Sequence, residues 1–327
     1  MAKKRLVSGM RTTGSLHLGH LEGTLRTWVK LQEQYDCYFF AAVWHAFTDR
    51  LKIDELPRYI NDMVVDFMSV GIDPEKSVIF RQSAMPQHAE LNTILSMYTP
   101  LGWLERCPTF KDQVRDEASR DSTSLGKLMY PVLMTADIIC YKAEAVPVGR
   151  DQLPHLELTR EIVRRFNGVF GDIFPEPAEV LSDIPVLLGI DNRKMSKSYN
   201  NSIELRETPE TLKQKIHVMI TDPQRVRRND PGNPDVCTVY SYHKIYTKDR
   251  LDEIANGCRT AGIGCRDCKN ILFERLEGVL GAIREKRAEI ESRPGLVRDV
   301  LAAGEAKARE TAEATMNEVR RAMGFIA

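Results

Sequence analysis

Apolar positions change rhythm repeatedly along the first quarter of the chain. Leu6 and Val7 open a short apolar run ending at Ser8. Leu18, Leu21, Leu25, Trp28 and Val29 then recur at helical intervals to about Glu33, which places them on one face. Cys37 to Trp44 is unbroken, apolar and rich in aromatics, as a strand covered on both faces would be. A second helical pattern covers about Leu56 to Val70. Gly71-Ile72-Asp73-Pro74 reads as a turn and Val78 to Phe80 as another strand. The order β-α-β-α-β predicts a parallel sheet with nucleotide binding at its carboxyl edge.

Residues 88–142 are mostly helical in pattern, with breaks expected at Pro100, Pro108 and Pro131. They contain the polar stretch KDQVRDEASRDSTSLGK at 111–127, which reads as a mobile loop or lid. Strand patterns return at Ala145 to Val148 and Ile184 to Ile190. Beyond Asn201 the chain reads as helical to its end, with Thr208-Pro209-Glu210 as a helix start, Ile271, Leu272, Leu276, Val279, Leu280 and Ile283 as a core-facing stripe, and Gly324 as a stop. The expected fold class is α/β: a Rossmann-like parallel-sheet catalytic domain at 1–203 with a helical insertion at about 85–142, followed by an α-helical domain at 204–327.

Composition narrows the partners only slightly. The 327 residues are 43% hydrophobic and 28% charged, with 46 basic residues against 46 acidic ones. No global basic field advertises nucleic acid, although a neutral chain can carry local basic patches. The two-residue apolar segment after the N-terminal lysines is too short for a signal-peptide core, and the longest apolar run falls far short of the roughly 20 residues of a membrane span. The expectation is a cytoplasmic protein without membrane contact. Seven cysteines, an odd number in a chain of this size, speak against a disulfide framework.

The stretch GMRTTGSLHLGH, Gly9 to His20, joins the first strand to the first helix. Gly14 and Gly19 mimic the start of a Walker A loop, but His20 and Leu21 stand where its Lys and Ser/Thr belong, so the P-loop reading falls. His17 and His20 lie three apart at a helix start, where free N–H groups and the helix dipole favour phosphate, and two imidazoles can donate to oxygens that gain charge during reaction. An isolated HxxH suits a pair of surface or metal-binding histidines as well. A second segment, RKMSKSYNNS at 193–202, places Lys194 and Lys197 beside Ser196 and Ser198 in a cationic loop that could close on a polyphosphate.

HLGH near the N-terminus and KMSKS some 175 residues later together resemble the two signatures of class I aminoacyl-tRNA synthetases. In YPVLMTADIICY, residues 130–141, Asp137 sits in apolar company; a buried carboxylate needs a partner, and an indole N–H offers one donor. A helix cap or an Arg pair would also satisfy it. This segment and VPVGRDQLPHLELTRE at 146–161 are similar to the tryptophanyl-tRNA synthetases, and the similarity runs over essentially the whole chain, including FKDQ at 110–113. Two positions depart from that family's pattern, Thr12 for Pro and Arg150 for Glu. The related tyrosyl enzymes place a Gln three or four residues before the Asp, where this chain has Leu133 and Met134.

The resemblance implies ATP and Mg²⁺ as the substrate complex, L-tryptophan and tRNA(Trp) as partners, and a homodimer. It implies catalysis by His17, His20, Lys194 and Lys197. ATP contacts would come from Arg11, Thr12, Thr13, Gly19, His20, Gly149, Arg150, Asp151, Val186, Lys194, Met195, Ser196, Lys197 and Ser198. Tryptophan contacts would come from Asp137, Tyr130, Met134, Gln152, Val7 and His45. A tyrosine-activating enzyme and a non-catalytic adenylate- or RNA-binding paralogue are the alternatives.

Cys237, Cys258, Cys265 and Cys268 offer four thiolates, enough for a tetrahedral zinc or a four-iron cluster. The pattern resembles a bacterial subset of the family with a [4Fe-4S] cluster in the anticodon-binding domain, which makes the cluster the first expectation and zinc the second. Cys37, Cys107 and Cys140 carry no assigned role. Arg225, Arg227 and Arg228, with Arg266 and Lys269, are the densest basic groups; a solvated helix face and RNA phosphate explain them equally well.

Overall fold

The computed structural model describes residues 3–48, 50–114, 123–181, 187–196 and 199–327. They form two compact units: Met1–Thr13 with Thr27–Asp183 and Arg293–Ala327, and Gly14–Arg26 with Ile184–Ser292. Chain order and compactness therefore divide the molecule differently. Periodicity and motifs draw a line at 203/204, whereas the compact units interleave.

The first unit is built on five strands: β1 (Arg5–Arg11), β2 (Asp36–Ala42), β3 (Ser77–Arg81), β4 (Ala145–Val148) and β5 (Ala178–Leu181). They lie in the order β3-β2-β1-β4-β5, all parallel, with Val7 opposite Tyr38 and Leu6 opposite Ala145. β2 is buried along nearly its whole length, which explains its unbroken apolar run. The α/β class and the first four strands match expectation. The strand expected at Ile184 to Ile190 does not join the sheet: its first three residues lie outside the described ones, and Leu188 bridges Lys194 instead. The fifth place goes to β5, whose mostly exposed side chains give no apolar pattern.

Leu18–His20 (α1) passes through a π-helical turn at Leu21–Leu25 into α2 (Arg26–Leu31). α3 (Val43–Ala46) follows β2, and α4 (Leu56–Ser69) precedes β3. Between β3 and β4 run α5 (Pro86–Tyr98), α6 (Leu101–Glu105), α7 (Pro108–Gln113) and α8 (Leu125–Ile139). Pro100 and Pro108 stand at helix starts as expected, but Pro131 lies inside α8 without ending it. Most of the lid expected at 111–127 lies outside the described residues. α9 (Leu153–Phe170) connects β4 towards β5.

In the second unit, α10 (Pro209–Val218), α11 (Thr238–Tyr246) and α12 (Leu251–Arg259) precede the long α13 (Cys265–Glu291). Thr208 caps α10 with its hydroxyl, 3.3 Å from the Thr211 N–H. Leu272, Leu276, Leu280 and Ile283 of α13 are buried as the stripe predicts. The last helix, α14 (Leu296–Ala322), belongs to the sheet unit and packs on β3. A Cβ on Gly304 would sit 1.9 Å from the Ile79 carbonyl oxygen, so only glycine permits this approach. Arg81 and Glu305 form a two-pronged ion pair beside it. Among the described residues no helix is long and apolar enough to cross a membrane.

Candidate active site

The strand order reverses between β1 and β4, and in open parallel sheets the crevice at such a reversal, beyond the carboxyl ends, receives ligands. β1 ends there in Arg11, Thr12 and Thr13, and β4 in Gly149, Arg150, Asp151 and Gln152. Thr12 is fully buried, and its hydroxyl finds no hydrogen-bond partner among the described residues. Val7 is buried within β1, and the Gln152 amide donates to Asp151 at 2.9 Å.

The same edge delivers a polar cluster around Asp137, which is 2% exposed on α8. Gln82, just past β3, donates its amide to both carboxylate oxygens at 2.8 Å, and its own oxygen accepts from the Trp44 N–H at 2.9 Å. His45 of α3 lies 2.9 Å from Oδ2, and His88 of α5 lies 2.6 Å from Oδ1. On its other nitrogen His88 meets the Tyr141 hydroxyl at 2.6 Å. A carboxylate only accepts, so His88 Nδ1–H donates to Asp137 and, in the neutral ring, Nε2 accepts from Tyr141. Burial pushes the Asp137 pKa up, but the hydrogen bonds from His45 and His88 outweigh it and hold the group below the usual carboxylate range. The result is a buried anion held by four short contacts from three donor side chains, with the single Gln82 amide nitrogen spanning both oxygens.

Tyr130, Met134 and Asp137 share one face of α8 by their spacing. The Tyr130 ring packs edge-on 6.3 Å from His45, and its hydroxyl lies 2.7 Å from His155 Nε2. The other nitrogen of His155 is 3.2 Å from the buried Cys107 sulfur, and burial lowers the His155 pKa. Sequence reasoning missed Gln82, His88, Tyr141 and His155. For His155, set between Pro154 and Leu156, apolar neighbours were the available signal; Gln82 and His88 stand in a polar stretch that carries none.

In the second unit the two signature segments meet. The His17 N–H donates to His20 Nδ1 at 3.2 Å, and the rings lie 3.8 Å apart. That bond leaves Nε2 of a neutral His20 as its donor. Residues just beyond KMSKS pair with those around HLGH: the Leu18 N–H donates to the Ile203 carbonyl at 2.9 Å, and the Leu205 N–H to Leu16 at 3.0 Å. At Gly19 a Cβ would lie 3.0 Å from the His17 ring and 3.6 Å from the Met195 sulfur, so Met195 rests against HLGH. Lys194 is exposed on a hairpin closed by its bridge to Leu188. Asn201 secures this hairpin, accepting from the Ser196 N–H at 2.8 Å and donating to Asp191 at 2.7 Å. Val186, Lys197 and Ser198 lie outside the described residues.

The four cysteines also gather in this unit. Cys237 precedes α11, Cys258 ends α12, and Cys265 and Cys268 open α13. Cys268 lies 3.3 Å from His243 Nε2. Burial raises the Cys268 thiol pKa to about 12, with the other three cysteines adding to the rise, so all four are within electrostatic reach. Yet no group of three or more His, Cys, Asp or Glu side chains among the described residues stands as a metal ion requires. The expected iron–sulfur or zinc centre is therefore not shown among the described residues, although the four cysteines lie close in the same unit. Arg225 donates to the carbonyls of Arg228 and Ile263, Arg228 to Ala261, and Lys269 to His217 and Met219. These cations bind backbone carbonyls, which is a structural role.

The sequence model of the family described as tRNA synthetases class I (W and Y) matches residues 2–281. The tryptophan–tRNA ligase of Thermotoga maritima is 49% identical over 98% of this chain and 99% of its own length. That of Aquifex aeolicus is 41% identical over 98% of this chain and 100% of its own. Among solved structures, the tryptophanyl-tRNA synthetase of Campylobacter jejuni complexed with ADP and tryptophan superposes with a TM-score of 0.85 at 32% identity, covering 98% of this chain and 99% of that one. The chain belongs to the class I tRNA synthetases of the tryptophan and tyrosine group, on their tryptophan–tRNA ligase branch.

Proposed function

We propose that the chain condenses L-tryptophan with ATP to tryptophanyl-AMP and pyrophosphate, then transfers the aminoacyl group to tRNA(Trp). The observation that carries this reading is the ionised Asp137, buried on the same helix face as Tyr130 and Met134 and held as an acceptor by His45, His88 and Gln82. An indole N–H would replace one of the two contacts that the Gln82 amide makes, a donor that a substrate without an N–H does not supply. Leu133 and Met134, one turn earlier, offer no hydrogen-bonding partner for a phenol hydroxyl. The tyrosine alternative is therefore disfavoured.

The tryptophan carboxylate is itself the nucleophile. It attacks the α-phosphorus in line, the bond to the β-phosphate oxygen breaks, and pyrophosphate leaves with its electron pair. Catalysis is positioning and charge stabilisation. His17 and His20 face the transferring phosphoryl group at the helix start, with His20 Nε2–H as a donor, and Lys194 and Lys197 follow the departing pyrophosphate. Arg11 to Thr13, Gly149 to Asp151, and Met195, Ser196, Ser198 and Val186 line the nucleotide. Tyr130 and Gln152 take the amino end of tryptophan, while Met134 and Val7 pack on it. Mg²⁺ on the triphosphate supplies charge neutralisation.

Residues 204–327 are assigned to tRNA recognition, with Cys237, Cys258, Cys265 and Cys268 holding a [4Fe-4S] cluster in preference to zinc. Four thiols are the donor chemistry of either. A homodimer is assigned from the family resemblance; Phe47 and Leu125, 41% and 68% exposed, rim an apolar hollow of about 360 Å³ that Tyr130 also lines. The assigned compartment is the cytoplasm. ATP–pyrophosphate exchange against all twenty amino acids, on anaerobically purified protein, tests the activity; exchange driven by tyrosine, or by none, would overturn it. Visible absorption with iron and zinc analysis of the same sample tests the cluster.

A further inference from the structure

Thr238, Tyr242 and Tyr246 recur every four residues along one face of α11, and each ends on a different piece of the signature segments. The Thr238 hydroxyl donates to Asn192 Oδ1 at 3.0 Å, at the tip of the Lys194 hairpin. Asn192 holds a φ of 65° there, so the turn is tight. The Tyr242 hydroxyl donates to the Leu188 carbonyl at 2.7 Å, on the strand opposite Lys194. The Tyr246 hydroxyl donates to Glu22 Oε1 at 2.9 Å, in the π-helical turn just after HLGH. Glu22 is 3% exposed, and its Oε1 also accepts from Arg26 at 2.8 Å, so the Tyr246 anchor is a fixed, charge-paired carboxylate. From Thr238 to Tyr246 the helix rises about 12 Å.

We propose that α11 is a strut that fixes the distance between the HLGH turn and the KMSKS hairpin, with Tyr242 and Tyr246 as positioning residues for the ATP step. This rests on assigning those two segments to ATP. Beside the buried Leu187 and Met195, hydrogen bonds restrain the hairpin, from Asn201 within the chain and from Thr238 and Tyr242 on the helix. Tyr242 is buried and Tyr246 half-buried with its ring largely desolvated, and desolvation raises the pKa of both above the ordinary value, so each keeps its proton and remains a donor. Elsewhere on its surface the same helix meets the cysteines, through Cys237 at its start and His243 against Cys268.

The test is Tyr242→Phe and Tyr246→Phe, each removing one hydroxyl and little volume. Amide hydrogen exchange in the substrate-free protein should quicken about tenfold in residues 188–196 for Tyr242→Phe and in residues 18–25 for Tyr246→Phe, the size of one lost hydrogen bond to a firm acceptor. Exchange in the buried stripe of α13 should not change. In ATP–pyrophosphate exchange both variants should lose about tenfold in kcat with tryptophan KM unaltered. Glu22→Gln combined with Tyr246→Phe should be no worse than the poorer single variant. Unchanged protection in both segments, or an equal rise throughout the unit, would overturn the strut. The hydrogen-exchange readout does not depend on turnover, so a wild-type protein inactive with tryptophan would count against the ATP assignment and leave the strut to be judged on protection alone.

Discussion

The cluster around Asp137 and the paired HLGH and KMSKS segments solve opposite problems. In the proposed reading Asp137 accepts from a neutral donor; Gln82 and His88 around it are buried, His45 is half-buried, and the four hydrogen-bonded side chains come from separate elements. The KMSKS hairpin presents an exposed Lys194 on a turn held through backbone groups, Asn201 and the hydroxyls of Thr238 and Tyr242. Recognition of one shape favours a finished site, since an unfilled acceptor then penalises the wrong ligand. Handling a charge that moves from ATP to pyrophosphate favours long side chains on a restrained but solvated support.

The sharpest break in that comparison is Asp137→Asn. Its amide N–H₂ would face the three donors that now point at a carboxylate, so kcat/KM for tryptophan should fall about 10³-fold. Asp137→Ala is a poorer probe, because it strands Gln82, His45 and His88 and should cost about 3–5 kcal/mol of stability. Tryptophan-dependent pyrophosphate exchange alongside thermal unfolding separates the two effects; an Asp137→Asn enzyme with normal kcat/KM would refute the assignment. On the other side, Lys194→Ala should lose about 10²-fold in kcat with tryptophan KM changed less than about twofold, and Lys197→Ala should behave alike. A change confined to tryptophan KM would place the lysines in the wrong half of the reaction.

A smaller effect probes the support behind Asp137. Tyr141→Phe removes the hydroxyl on which His88 Nε2 rests, leaving a buried acceptor unpaired. Tryptophan KM should rise about fivefold with kcat nearly constant, as expected for roughly 1 kcal/mol of lost orientation. Equal losses in ATP and tryptophan parameters would mean that Tyr141 serves packing alone.

These residues also mark where the sequence stops being legible. Asp137 announces itself as a carboxylate among Met134, Ile138 and Ile139, but its partners Gln82 and His88 stand 55 and 49 positions earlier and meet it only through the sheet topology. The β-α-β-α-β order could be read because β2 is buried on both faces. β5 could not be read, because an edge strand with exposed side chains carries no pattern. The apolar run at 187–190 looked like a strand because Leu187 is buried, although the segment turns back on Lys194. α14 approaches β3 through Gly304, Ala308 and Ala312, and small residues that allow close packing leave a weak hydrophobic signal.

Acid sharpens the comparison further, because each unit holds at least one depressed, buried carboxylate. In the sheet unit burial works against the charge of Asp137 and the two histidines overcome it. In the other unit burial likewise opposes Glu207, and its bond to Lys215 overcomes that. A group whose folded pKa lies below its unfolded value stabilises fully above the unfolded pKa, about 3.9 for Asp and 4.3 for Glu, and that contribution is lost as pH falls through the folded pKa. The difference in melting temperature between wild type and Asp137→Asn should therefore be constant from pH 7 to about pH 5 and shrink below about pH 4. Glu207→Gln should show the same convergence. If the gap for Asp137→Asn instead widened with acid, the carboxyl would be protonated in the folded state at neutral pH and would donate to its site, not accept. The indole N–H would then have no acceptor at Asp137.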